Sequence, residues 1–407
     1  MIGRWLTAES SGEPNGKVTS SDRLWLIVAA LAWLAAVATI LPLGYGRDND
    51  TFEMLRTWQQ MVHEGVYVPS RKPGFPFAEF AIGFAASLGG AWLSNLLIAF
   101  FGAASAILAY RLALMLEVAR PKLVVALFLA NPWIMIQSST SMDYMIAFAC
   151  LLGGMVATLH GRLVSGVLLL AVSVGTRLPM LFYAGVFLWM AARSKRVPEL
   201  RFAEAFAALF FISGLFYLPV WIASSLRFDW ITASWIDDQG LAGRLARLIV
   251  KPTRLFGLLP SIAVAGLLAL LCWRGRLSLP WRTSFAMRLL LAMCAVTVAI
   301  YARLPTDISY MIFMIPFLGV ALVEAGAVPV LRLLIAGGLI TAVVDIDPVK
   351  VAFRDDDYCR GLALSARVSP HFIKGPVLAE ITDREYVEPC FKPILRIPYV
   401  ESNKPLP

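Results

Sequence analysis

The chain has 407 residues, of which 59% are hydrophobic and only 15% charged, and it carries a formal net charge of +9. Several apolar runs approach or exceed the roughly 20 residues that cross a bilayer as a helix, so the composition is that of a polytopic membrane protein and excludes an ordinary soluble domain. The Ala, Leu and Gly runs lack the alternation of a transmembrane barrel, no basic patch with interleaved aromatics marks a nucleic-acid partner, and the positive charge mostly reflects lysines and arginines in cytoplasmic loops.

Residues 1–23 form a polar tail rich in Ser and Gly, without a cleavage-site pattern, and the apolar run after it is too long for a signal-peptide core. The first span is expected at 24–43. Arg4, Lys17 and Arg23 precede it, which places the amino end in the cytoplasm and Gly44 onward outside. A long polar interruption, 44–90, follows. Further spans are expected at 91–116, 123–139, 143–159, 163–176, 178–192, 203–224, 256–273, 284–302, 308–323 and 328–344, about eleven in all, with the carboxyl end outside. A second external loop, 225–255, carries Arg227, Asp229, Asp237, Asp238, Arg244, Arg247, Lys251 and Arg254. Residues 345–407 are polar, proline-rich and too short to bury much of a core, so they read as a small external appendage. The fold class is therefore an all-α polytopic membrane protein with two interfacial helices in its first external loop.

The topology turns on whether 75–90 crosses. Without a crossing there, the cytoplasmic side receives Arg120, Lys122, Arg162, Arg193, Lys195, Arg196, Arg201, Arg274, Arg276, Arg282 and Arg288, and the opposite short turns hold Arg177 and Arg303. A crossing would send all of the first group outside, against the positive-inside tendency. Residues 75–90, about 16 in number and marginal for spanning, are expected as a re-entrant or interfacial helix. Cys150, Cys272 and Cys294 fall in spans as small hydrophobes. Cys359 and Cys390 fall in the tail, where an oxidising compartment would let them close a loop of about 30 residues, two unpaired thiols being the alternative.

The first loop gathers the residues of chemical interest. From Asp50 the pattern DTFE predicts a helix start, with Asp50 capping and Glu53 three residues on. Met54, Leu55, Trp58, Met61 and Val62 then make one stripe of a helix, while Arg56, Gln59, Gln60 and His63 face away. Such a segment lies flat in the interface and puts Asp48 and Asp50 at the membrane surface. The bland alternative makes Asp50 an N-cap and Asp48 a solvated loop acid.

Taken together, GRDND at 46–50, SRKPGFPFAEF at 70–80, NPWIMIQSSTSMD at 131–143 and GTRLP at 175–179 resemble, in order and spacing, the GT-C superfamily of integral-membrane glycosyltransferases. The protein-mannosyltransferase-like and aminoarabinose-transferase-like bacterial branch is the nearest in flavour. The resemblance covers roughly 24–225 and implies a seven-span catalytic module there, with 226–344 as a variable membrane module. It implies transfer of a sugar from a polyprenyl-phosphate-linked donor to an acceptor hydroxyl by inverting single displacement, at the extracytoplasmic face of the bacterial inner membrane. Asp50, or Asp48 in another register, would be the general base, kept ionised by the helix N-terminus. Arg71, Lys72 and Arg177, with Lys251, Arg254 and Arg303 as further candidates, would meet the donor phosphate. Glu79 would orient the acceptor, and Asp143 heads a span facing the cavity. Trp230, Trp235, Asp237 and Asp238 suit a sugar or glycan, although Trp is also an ordinary interface anchor.

Each of these residues has a plainer role as well: Arg71 and Lys72 snorkelling to headgroups, Asp143 capping its own helix. No cofactor is expected; Asp48-Asn49-Asp50 spells DxD and would be the ligand pair if a divalent ion were needed. Two other functions compete. A transporter or flippase predicts an internal repeat and charges near span midpoints, and neither is visible. A membrane ligase or acyltransferase on lipid-linked substrates would rely on a catalytic His, and only His63, His160 and His371 occur, with no role assigned to His63 or His160.

Overall fold

The structure is a computed structural model. It describes residues 19–46, 48–194, 197, 201–225, 245, 248–249, 251–277, 284–303, 305, 308–343, 350–353 and 362–365. Helix α1 (Ser20–Ala38) begins at a reciprocal cap: Thr19 Oγ1 accepts the Asp22 N–H at 3.1 Å and the Asp22 carboxylate accepts the Thr19 N–H at 3.3 Å. Leu24, Val28 and Leu31 on α1 are exposed while Leu26, Ala30, Trp33 and Val37 are buried, the pattern of a helix with lipid on one side and protein on the other. A 3-10 turn, Leu41–Leu43, closes it.

Helix α2 (Asn49–Glu64) is the amphipathic segment expected after the first span, but its start is displaced. Asp48, not Asp50, is the N-cap, its Oδ1 accepting the Asp50 N–H at 3.0 Å. The tract offers two acids in capping range, and the earlier one takes the position, which leaves the Asp50 carboxylate to other partners. Met54 and Leu55 are fully buried against protein, whereas Val62 is exposed, so the apolar stripe is largely covered by α3 (Pro76–Met115) and not laid on lipid. Trp58 packs edge-on to Phe80 and Phe84. It comes so close to Gly83 that a Cβ there would sit 2.3 Å from the Trp58 Cβ.

Helix α3 is two limbs joined at a kink, with non-helical backbone at Gly89 and Gly90. Gly90 has φ +61°, which a side chain would resist. The first limb carries the contacts to α2; at the start of the second, Asn95 Nδ2 donates to the carbonyls of Leu41 (2.9 Å) and Gly44 (2.7 Å). The expected span at 123–139 is also broken, into α4 (Pro121–Ala130) and α5 (Pro132–Ser139), bent by 64°. Pro132 forces Asn131 out of helical backbone, and the Asn131 side chain then caps α5 through the Trp133 and Ile134 amides.

Helix α6 (Tyr144–Leu159) is buried along nearly its whole length and forms the centre of the bundle. Around it stand α3, α7 (Leu163–Thr176), α8 (Met180–Arg193) and a 3-10 stretch, Ile308–Met314. Ser173 Oγ donates to the Ala147 carbonyl at 2.6 Å between α7 and α6. The Tyr183 hydroxyl donates to Thr297 Oγ1 at 2.7 Å between α8 and α12 (Phe285–Arg303), the kind of interhelical bond that contributes about 0.6 kcal/mol in lipid. Further helices among the described residues are α9 (Phe202–Phe216), α10 (Leu218–Ala223), α11 (Leu258–Trp273), α13 (Ile315–Glu324) and α14 (Val328–Val343).

A helix therefore occupies each stretch marked as a span, and the protein is an integral membrane protein of apolar helices. Among the described residues, Ser20–Leu43, Pro76–Met115 and Phe285–Arg303 are long and apolar enough to cross a bilayer, with the bent α4–α5 pair a fourth. The other apolar helices run 10–17 residues, so length alone supports fewer crossings than the eleven or so expected. Among the described residues the all-α expectation meets an exception in an antiparallel ribbon of β1 (Lys350–Phe353) and β2 (Leu362–Ser365) with Lys350 opposite Ser365. The rest of the carboxyl-terminal segment, with Cys359 and Cys390, lies outside the described residues.

Candidate active site

The loops at one end of the bundle bring together Asp50, Arg71, Asp143 and Arg177. Asp50 is in the first turn of α2, Arg71 in the loop between α2 and α3, Asp143 immediately before α6, and Arg177 between α7 and α8. Arg71 Nη1 is in direct ionic contact with Asp50 Oδ2, and its Nη2 lies 3.6 Å from Asp143 Oδ1. The same Asp143 oxygen accepts from Arg177 Nη1 at 2.7 Å. Alternating charge thus runs inward, from Asp50 with its side chain 41% exposed and Arg71 at 17% to Asp143 at 0% and Arg177 at 1%. The surface pair is worth at most about 1 kcal/mol, whereas removing one partner of the buried pair would cost about 3–5 kcal/mol.

Aromatic rings wall the two guanidinium groups. Arg71 lies 4.2 Å from the Phe75 ring centroid, and Arg177 lies 3.7 Å from that of Tyr144 and 5.1 Å from that of Tyr310. Asp143 makes no capping bond to its own helix, so the cap reading of that residue does not describe it; its Oδ1 serves the arginines, and its Oδ2 has no hydrogen-bond partner among the described residues. The turn before it is fixed by Ser141, whose N–H donates to the Tyr45 carbonyl at 3.0 Å and whose Oγ donates to Asn95 Oδ1 at 2.7 Å. Tyr217 braces the far side, its hydroxyl donating to the Val174 carbonyl at 3.0 Å near the end of α7.

Glu79, on the first limb of α3, is fully buried. Its Oε2 accepts from the Tyr67 hydroxyl at 2.5 Å, and its Oε1 from the Ser70 N–H (2.9 Å), the Ser70 hydroxyl (2.6 Å) and the Phe75 N–H (3.3 Å). Burial first, and the Glu79 charge next, push the Tyr67 phenol above its ordinary range, so it stays a protonated donor. Lys72 is exposed beside Arg71. Arg254 is half-buried and its backbone is clamped: Trp133 Nε1 donates to the Arg254 carbonyl at 3.1 Å, and Asn131 Nδ2 to the Leu255 carbonyl at 2.8 Å. Arg303 is exposed at the last residue of α12. Trp230, Trp235, Asp237 and Asp238 lie outside the described residues. Among the described residues no group of three or more His, Cys, Asp and Glu is arranged to hold a metal; Asp48 caps α2 and Asp50 faces Arg71.

The residues missed in the sequence are Tyr67, Ser70, Phe75, Tyr144 and Tyr310. Tyr144 adjoins Asp143 and was within reach of the motif. Tyr310 comes from the second half of the chain, where the resemblance ends, and only tertiary packing brings it to Arg177.

No family model matches the sequence, and no curated protein matches it. Among solved structures, crystal structures of ArnT from Cupriavidus metallidurans superpose on it. In the apo state the TM-score is 0.51 at 16% identity, over 76% of this chain and 60% of that one. The structure bound to undecaprenyl phosphate gives 0.48 at 16% identity, over 74% of this chain and 59% of that one. This chain thus spans less than two thirds of ArnT's length. Its fold is the ArnT fold, as the likeness of its loop motifs to the GT-C superfamily led us to expect.

Proposed function

We propose that the protein transfers a sugar from a polyprenyl-phosphate-linked donor to an acceptor hydroxyl at the extracytoplasmic face of the inner membrane, in one inverting displacement. The observation that carries the reading is the inward run Asp50, Arg71, Asp143, Arg177, which sets a solvent-accessible carboxylate against a cation at a loop end of the bundle. Asp50 takes the proton from the acceptor hydroxyl as its oxygen bonds to the anomeric carbon; the bond from that carbon to the phosphate oxygen breaks, and polyprenyl phosphate leaves. Arg71 and Lys72 meet the phosphate as its charge grows, and the donor draws Arg71 away from Asp50 as it does so. Asp143, held by Arg177, keeps Arg71 oriented. The fold shared with ArnT supports this reading. So does the position of the charged groups at helix ends and in loops, which does not suit a flippase carrying charge through mid-span.

The test is Asp50→Asn, assayed with a panel of radiolabelled polyprenyl-phosphate sugars and membrane extract. Loss of a general base lowers turnover by about 10²–10⁴ with donor binding retained. Transfer at an unchanged rate would overturn the assignment of Asp50.

A further inference from the structure

We infer that Glu79 is a positioning residue, whose buried carboxylate folds the 67–75 loop so that Arg71 reaches Asp50 and Asp143 together. The inference rests on the sugar-transfer reading for its consequence in activity. Four donors from three residues, Tyr67, Ser70 and Phe75, converge on one carboxylate. They bracket Arg71: Ser70 precedes it directly, and Phe75 supplies the ring beneath its guanidinium. The carboxylate is fully buried and takes up four donors, so it is not presented to the acceptor, which the family likeness would have it orient. These four hydrogen-bonding partners all donate, and a carboxylate is the side chain that only accepts. A Gln fits nearly as well, because its carbonyl can face the Ser70 and Phe75 donors while its amide donates to the Tyr67 hydroxyl, which turns to accept.

That difference makes the role testable. In Glu79→Ala the loop loses its anchor, kcat/KM for the donor falls on the order of a hundredfold, chiefly through KM, and trypsin gains access to the Arg71–Lys72 bond in the detergent-purified full chain. Glu79→Gln restores both to within a few-fold of the parent. An Arg71→Ala/Glu79→Ala double variant loses no more than Arg71→Ala alone, because both act on one contact. Should Glu79→Ala compromise folding, Ser70→Ala and Tyr67→Phe each remove one bond to Glu79 and give graded cleavage at the same site. Two outcomes overturn the inference: Gln as inactive as Ala with the bond protected in both, which would make Glu79 a chemical participant, or Ala fully active and protected. If the parent protein transfers no sugar at all, the sugar-transfer reading falls alone, and the protease pattern still decides the role of Glu79.

Discussion

Arg177 is a cation with almost no solvent exposure, and its partners include one oxygen of Asp143 and the faces of aromatic rings. Burying an ion pair seldom adds net stability, but stranding one member is costly. Arg177→Met is therefore expected to destabilise the protein by about 3–5 kcal/mol, read as a fall in thermal midpoint in detergent. Asp143→Leu/Arg177→Met, which removes both charges, should recover most of that loss and yet remain inactive, since Arg71 then has only Asp50 to face. A double variant that stays as unstable as the single one would show that the pair is not the reason for the loss. These residues were legible in the sequence as polar exceptions in apolar surroundings: Asp50, Arg71, Asp143 and Arg177 each sit in one of the quoted motifs. Their order of contact was not legible. Nothing local in GTRLP says that its arginine turns inward to an aspartate 34 positions earlier, or that Tyr310 closes over it. Stacking of an arginine on a ring has no sequence period to detect.

At the scale of an element, the placement of Asp50 depends on how α2 docks. Its start was read two residues late, because DND holds two acids able to cap and only the backbone decides between them. Its amphipathic period was read correctly, yet the partner for the apolar stripe is another helix, which periodicity cannot distinguish from lipid. The break at Asn131–Pro132 carried a plain local signal in its proline, overridden by the apolar run around it. Gly83 tests the docking. On an open helix, Gly→Ala stabilises by about 0.8–1 kcal/mol, but here the new methyl group meets the Trp58 side chain. Overpacking of that kind costs about 1–3 kcal/mol, so the sign reverses and Gly83→Ala should lower the thermal midpoint. It should also lower transfer, because α2 carries Asp50. A rise in stability would mean that α2 is not held against α3 in this way.

For the whole molecule, the contacts define two ends. At one, Lys122 pairs with Asp22 at 2.8 Å and lies over Trp25, so the starts of α1 and α4 are neighbours. Helix α1, 19 residues long, rises about 28 Å, close to the thickness of a bilayer core, before the chain reaches the other end. There Asn95 holds Leu41 and Gly44, and Asp50, Arg71, Asp143 and Arg177 gather. The first limb of α3 meets α2 and the 67–75 loop, and the second limb starts beside Leu41, so both ends of the first limb lie at the end that gathers these four residues. The positive-inside count asks for the same arrangement from unrelated evidence, the distribution of arginine and lysine. Side-specific labelling decides it. In a cysteine-free background, an impermeant thiol reagent added to intact cells should modify Lys72→Cys and leave Arg120→Cys untouched until the membrane is opened; both positions are exposed. If 76–88 crossed the bilayer instead, residue 120 would share the outer face with residue 72 and both would react from outside.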